Sequence, residues 1–271
     1  MESSFFKNVN YILLGTFFKF FIAFLSTAIY IRVIGLEGYA IIGIVFSLFL
    51  LLSRLNIPFF LALVKNNLVY HKEKKILFEP LFNTLYSAIL ISNIIFFLML
   101  FPLIIFLSGR IYNDPGLLLY FIIALSIFLI NRVNVFFKEF MRANKRETVI
   151  QKIAIPSLLV EFLSSLIFLL ILKFGVISIF IAVLIKELME YFLFLYSIKA
   201  IVKLKPYFSL DLFIKIFKKY ALRNFLSRSS ILSIPYVLIF ISTFYLGTYS
   251  LGIITVIILL MNRLEDLFFP I

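Results

Sequence analysis

The 271-residue chain contains no cysteine and a single histidine, His71. Disulfides, thiolate metal sites and cysteine nucleophiles are therefore excluded. His71 stands in a basic stretch, where a lone imidazole is more often a solvated side chain than a ligand. There is no Gly-rich phosphate loop and no His-Glu-x-x-His pattern. Charge is scarce as well: charged residues make up 14% of the chain, against about a quarter in soluble domains. No catalytic residue, metal site or cofactor is expected, and the chain does not read as an enzyme.

What is abundant is apolar surface. Hydrophobic residues reach 63%, and Phe alone occurs 36 times, which suits a lipid-facing surface better than a compact aqueous core. The apolar runs recur along the whole chain. A spanning helix needs about 20 apolar residues, and about eight segments qualify. They cover 11–34, 39–64, 80–107, 116–137, 153–172, 176–198, 222–246 and 250–269. The first is too long for a signal-peptide core and reads as an uncleaved span. Turn chemistry separates the segments: Gly35 and Gly38, then Asn113-Asp114-Pro115-Gly116, then Gly175, then Gly247 and Gly252.

Cations are distributed unevenly between the connections. Lys65, Lys72, Lys74 and Lys75 follow the second span. Lys138, Arg142, Lys145, Arg146 and Lys152 follow the fourth. Lys199, Lys203, Lys205, Lys215, Lys218, Lys219 and Arg223 follow the sixth. The alternate connections hold only Arg110 and Lys173, with Arg32 at the edge of one. Positive loops stay in the cytoplasm, so the N-terminus is expected inside, in a multi-pass protein of the cell membrane. The net charge of +13 is thereby explained without nucleic acid. In the third basic stretch, Leu212, Phe213, Ile216, Phe217 and Tyr220 fall at helical spacing. Lys215, Lys218 and Lys219 lie toward the other side, as in an amphipathic helix on membrane lipids.

Charges inside spans cost about 2.5–3.5 kcal/mol each and usually face a cavity or a partner. Arg132, near the end of the fourth span, is expected to snorkel. Lys186 and Glu190 are spaced to neutralise one another on the sixth. Lys19 and Arg54 are less easily explained. Gly15, Lys19, Ala23, Ser26 and Tyr30 share one face of the first span. Gly43, Ser47, Arg54, Pro58 and Ala62 share one face of the second. Such faces are either a cavity wall or a close helix contact. Counting from the segment ends, Lys19 is expected about 12 Å deep and Arg54 about 22 Å from the opposite end, both in the cytoplasmic half.

The chain also resembles itself. A gapless shift that lays Lys19 on Arg228 lays Gly38 on Gly247, Gly43 on Gly252 and Arg54 on Arg263. The repeat would be parallel, its pseudo-two-fold axis along the membrane normal. Lys19, Arg54, Arg228 and Arg263 would then share one level, where like charges repel unless water or an anion intervenes. Arginine's planar fork suits phosphate. The competing arrangement pairs each cation with an acid, Arg263 with Asp266 and Lys19 with Glu161.

The run from Gly15 to Phe60 resembles the first two helices of the polysaccharide, O-antigen-type flippases. These form one branch of the multidrug/oligosaccharidyl-lipid/polysaccharide exporter superfamily. Lys19 inside the first helix and Arg32-Val33-Ile34-Gly35-Leu36-Glu37-Gly38-Tyr39 at its end carry the resemblance. So do Leu246-Gly247, Leu251-Gly252 and Pro270-Ile271 in the stretch 245–271. The resemblance implies an all-α fold of six-helix bundles around a central cavity, worked by alternating access without ATP hydrolysis. It also implies a polyprenyl-pyrophosphate-linked saccharide as substrate, its pyrophosphate bound by Lys19, Arg54, Arg228 and Arg263. Glu161 is the candidate for ion coupling. The related drug exporters tend to use buried acids, and the first two spans here have none.

The expected organisation is a six-helix bundle over 1–199, an amphipathic connector over 200–221, and the first two helices of an incomplete second bundle over 222–271. Family members have a dozen or more helices, so the last ones are missing. The expected function is flipping of lipid-linked saccharide for polysaccharide biosynthesis. One alternative is a truncated, non-transporting scaffold or partner of saccharide-assembly proteins. Another is a membrane enzyme acting on lipid phosphates, for which only Glu265/Asp266 and Glu187/Glu190 offer paired acids.

Overall fold

The computed structural model describes residues 2–72, 78–111, 116–216, 237–238, 241–242, 245–246 and 248–268. Every regular element among them is helical: α1 (Glu2–Lys72), α2 (Phe78–Phe106), α3 (Leu117–Ala143), α4 (Glu147–Leu166), α5 (Ile177–Lys199), α6 (Leu210–Ile216) and α7 (Thr248–Phe268). Turns of π-type, Leu107–Ile111 and Ile167–Ile171, extend α2 and α4. The protein is an all-α, polytopic membrane protein. Four stretches of the described residues are long and apolar enough to span: Leu14–Phe49, Glu79–Gly109, Leu117–Ala143 and Glu147–Ile171.

The first two expected spans form one element broken at Gly35, whose φ of 73° and ψ of 173° are non-helical. That combination is open essentially to glycine alone. The sixth expected span is α5, long enough to cross but carrying Lys186, Glu187 and Glu190. Most of the seventh expected span, 222–246, lies outside the described residues.

The expected loop 138–152 is largely helix. α3 continues to Ala143, so Lys138 and Arg142 are helical, and α4 begins at Glu147. The turn closes through Asn144, whose N–H donates to Phe140 O at 3.1 Å, and through Arg146 N to Met141 O at 2.9 Å. Lys145 occupies the left-handed position at φ 56°.

Two compact units divide the chain, with boundaries inside α1 and α5. The first comprises Met1–Leu48, Glu147–Lys186 and Pro235–Ile271. The second comprises Phe49–Arg146 and Glu187–Ile234. In the first unit, α1 presents Leu14, Phe17, Phe21 and Phe24 outward at helical spacing, while Gly15, Ile22 and Tyr30 are buried. Phe46 stacks on Phe180 with centroids 4.9 Å apart.

Two close helix contacts lie in the same unit. A side chain at Gly43 would collide with Thr255 on α7, and one at Gly252 would collide with the Leu36 carbonyl. Small residues let backbones approach where lipid offers no hydrophobic drive. In the second unit, Phe82 packs on Phe136 and Phe140 at 5.2 and 4.5 Å, joining the start of α2 to the end of α3.

Candidate functional site

In the first unit, Lys19 lies on the α1 face that packs on α4. Its Nζ donates to Gln151 Oε1 at 2.7 Å. A Cβ at Gly15, one turn earlier, would stand 3.1 Å from the same Gln151 oxygen. Further along the same face, Tyr30 Oη donates to Ser165 Oγ at 2.7 Å. The face makes a close helix contact here, with the small residue making room for the amide that meets the cation. Gln151 sits one turn into α4.

The alternative pairing of Lys19 with Glu161 is not the contact formed. Glu161 stands about 15 Å further along α4 than Gln151 at 1.5 Å per residue. Its carboxylate faces Lys186 Nζ on α5 at 4.0 Å. Glu161 therefore belongs to a loose ion pair, close to Ser165 in sequence and one turn away on the helix.

Lys186 and Glu190, spaced to neutralise one another, each also meet a charge on a neighbouring helix. Glu190 Oε2 lies 2.6 Å from Lys138 Nζ on α3, within the second unit. That pairing follows from the extra helical turns of α3, which carry Lys138 alongside α5. Glu187 is also buried, at 2% exposure, and receives hydrogen bonds from two asparagines of α3. Asn131 Nδ2 lies 3.2 Å from each carboxylate oxygen, and Asn134 Nδ2 lies 2.8 Å from Oε2. Asn134 Nδ2 also reaches the Glu187 backbone carbonyl at 2.9 Å.

Arg132 does not snorkel; it is 5% exposed. Its guanidinium donates to Asn93 Oδ1 at 2.6 Å and Ser92 Oγ at 2.8 Å, and lies 4.4 Å above the Phe96 ring. A buried cation is tolerable when neutral acceptors and an aromatic face replace its water. Asn93, Asn131, Asn134 and Gln151 were missed in the sequence, where only formal charges inside spans were weighed. Their signal was available: uncharged amides are rare enough in apolar runs to mark a contact.

The other proposed site cations are less fully placed. Arg54 belongs to α1 and Arg263 to α7, but the structure describes neither side chain, and Arg228 lies outside the described residues. Gly43 and Gly252, one of the two glycine pairs of the expected repeat, both take part in α1–α7 contacts. Among the described residues no cluster of His, Cys, Asp or Glu is arranged to hold a metal. An open cleft of about 480 Å³ lies elsewhere in the first unit, lined by Val33, Ile34, Leu169, Leu170, Lys173, Gly175 and Val176. It flanks the Gly35 break and includes none of Lys19, Glu161 or Lys186, so it is a surface feature apart from the buried cations.

No family model matches the chain, and no curated protein matches it in sequence. Its fold is similar to that of a MOP superfamily transporter from Pyrococcus furiosus, for which a reversed polarity of the binding pocket suggests a different function. The TM-score is 0.63 at 15% identity, over 96% of this chain and 63% of that one. The chain thus spans less than two thirds of the transporter's length, and the likeness is one of fold.

Proposed function

We propose that the chain is a transporter of the MOP type that flips a polyprenyl-pyrophosphate-linked saccharide across the cell membrane, for polysaccharide biosynthesis. The N-terminus lies in the cytoplasm in this reading, because the cation-rich connections then face inward. The domain plan is a six-helix bundle over 1–199, a connector over 200–221 and the start of a second parallel bundle over 222–271. The observation that carries the reading is a fold like that of a solved MOP transporter, in a chain with Lys19 at a helix contact inside its first span.

Lys19, Arg54, Arg228 and Arg263 bind the pyrophosphate in this reading. The Lys19 ammonium is ordered by the neutral amide of Gln151. Glu161, 4.0 Å from Lys186, is the ion-coupling candidate. Saccharide-assembly proteins and membrane lipids are the expected partners. Arg54→Glu tests the reading: saccharide export should be abolished with the protein still in the membrane, and unchanged export rejects the cavity role.

A further inference from the structure

We propose that the segment joining α5 to α6 is a surface strap that binds anionic lipid headgroups at the membrane boundary. It lies wholly in the second unit. After α5 ends at Lys199, the chain returns along the first turns of α2. Asn83 Nδ2 donates to Lys203 O at 3.1 Å, and Lys205 N donates to Asn83 Oδ1 at 3.1 Å. Both ends of one amide are thus spent on the strap. Ser209 N then donates to Thr84 Oγ1 at 3.4 Å. An extended segment held by its backbone keeps its side chains free to face outward.

The level of the strap follows from its neighbours. On α2, Leu81, Phe82 and Leu85 are buried, and exposed apolar side chains begin only at Leu90 and Ile91. The lipid-facing part of α2 therefore starts just beyond the strap. On α5, Tyr196 is 81% exposed one turn before the helix ends at Lys199. Tyr207 and Phe208 on the strap are 48% and 42% exposed. Lys199, Lys203 and Lys205 are exposed among them, with Asp211 and Glu79 the acids nearby.

Aromatic rings mixed with lysines at the end of spanning helices have the composition of the headgroup level. The rings favour the boundary between acyl chains and water, and the lysines favour a negative surface. That charge complementarity selects an anionic lipid surface as the occupant. The inference requires only that the protein is in a membrane, so it stands or falls independently of what is transported and of which end faces the cytoplasm.

The chain has no tryptophan, so Tyr207→Trp or Phe208→Trp each creates a lone emitter. The full chain is placed in mixed vesicles of phosphatidylcholine and phosphatidylglycerol in which only one of the two lipids is brominated. Blue-shifted emission, quenched more strongly when phosphatidylglycerol carries the bromine, is the expected result. Lys203→Gln with Lys205→Gln, or salt at about 1 M, should erase the difference between lipids. Emission typical of water, or a blue shift without quenching, overturns the proposal, the latter by showing that protein covers the patch. Equal quenching in both lipids overturns the headgroup preference. Should a tryptophan variant fail to insert, the melting temperature of the otherwise unmodified chain serves instead. Phosphatidylglycerol should raise it, the paired lysine substitutions should remove that rise, and an unchanged rise in the substituted chain refutes the strap.

Discussion

Lys138 of α3 and Glu190 of α5 form an ion pair, the ammonium nitrogen 2.6 Å from a carboxylate oxygen, with the carboxylate buried and the lysine partly exposed. Lys138→Met takes this partner from the buried carboxylate and should destabilise by about 3–5 kcal/mol, whereas replacing both residues by Met should cost far less. Thermal melting of the four members of this double-mutant cycle in one detergent checks both values. A loss in the double variant equal to the sum of the two single losses would show that the pair contributes nothing.

Glu187 depends on neutral donors instead. Glu187→Ala removes the carboxylate from Asn131 and from the fully enclosed Asn134, whose Nδ2 keeps only the backbone carbonyl at 187. A loss of about 1–3 kcal/mol is expected. Asn134→Leu should bring a similar loss, and the two substitutions together less than their sum. Melting curves read this directly, and simple additivity would mean that the contact is not energetically coupled.

The two close glycines should differ in tolerance. Gly252→Ala drives a methyl group into the Leu36 backbone carbonyl, which cannot rotate away. Gly43→Ala meets the Thr255 side chain, and Thr255→Ala should partly restore it. Overpacking of this kind costs about 1–3 kcal/mol, and the melting temperature should fall further for Gly252→Ala. The opposite order would place the two contacts wrongly.

Gly35 breaks α1 through a backbone conformation closed to other residues. Gly35→Ala should cost about 1–3 kcal/mol. Cross-linking of introduced cysteines on either side of residue 35 should report whether the bend persists. Full stability with an unaltered cross-link pattern would refute the strained geometry.

The helical character of the described residues was legible because apolar runs of membrane length have few other uses. The α1 break was legible too, since Gly35 and Gly38 stand between two such runs. Helix ends were harder. Lys138 and Arg142 looked like loop residues because charge normally marks the edge of a span, yet α3 carries both, and Lys138 is neutralised by Glu190. The partners of buried charges were not legible. Spacing along one helix pointed only to Lys186 with Glu190, whereas packing between helices brings Lys138 to Glu190 and Lys186 to Glu161. The face of Lys19 was legible as small and polar. Its meaning depended on Gln151, which is remote in sequence and reaches Lys19 only through the packing of α4 on α1.

The central claim is that Lys19 and Arg54 serve an anionic lipid substrate. It is tested most directly by the affinity of the purified chain for a polyprenyl pyrophosphate, set against Lys19→Met and Arg54→Met variants of matched melting temperature. A lost charge-assisted hydrogen bond is worth about 1.5–3 kcal/mol, so each variant should bind about 10- to 100-fold more weakly. Binding that is equal in all three proteins, or equally strong for an uncharged polyprenol, would contradict the account.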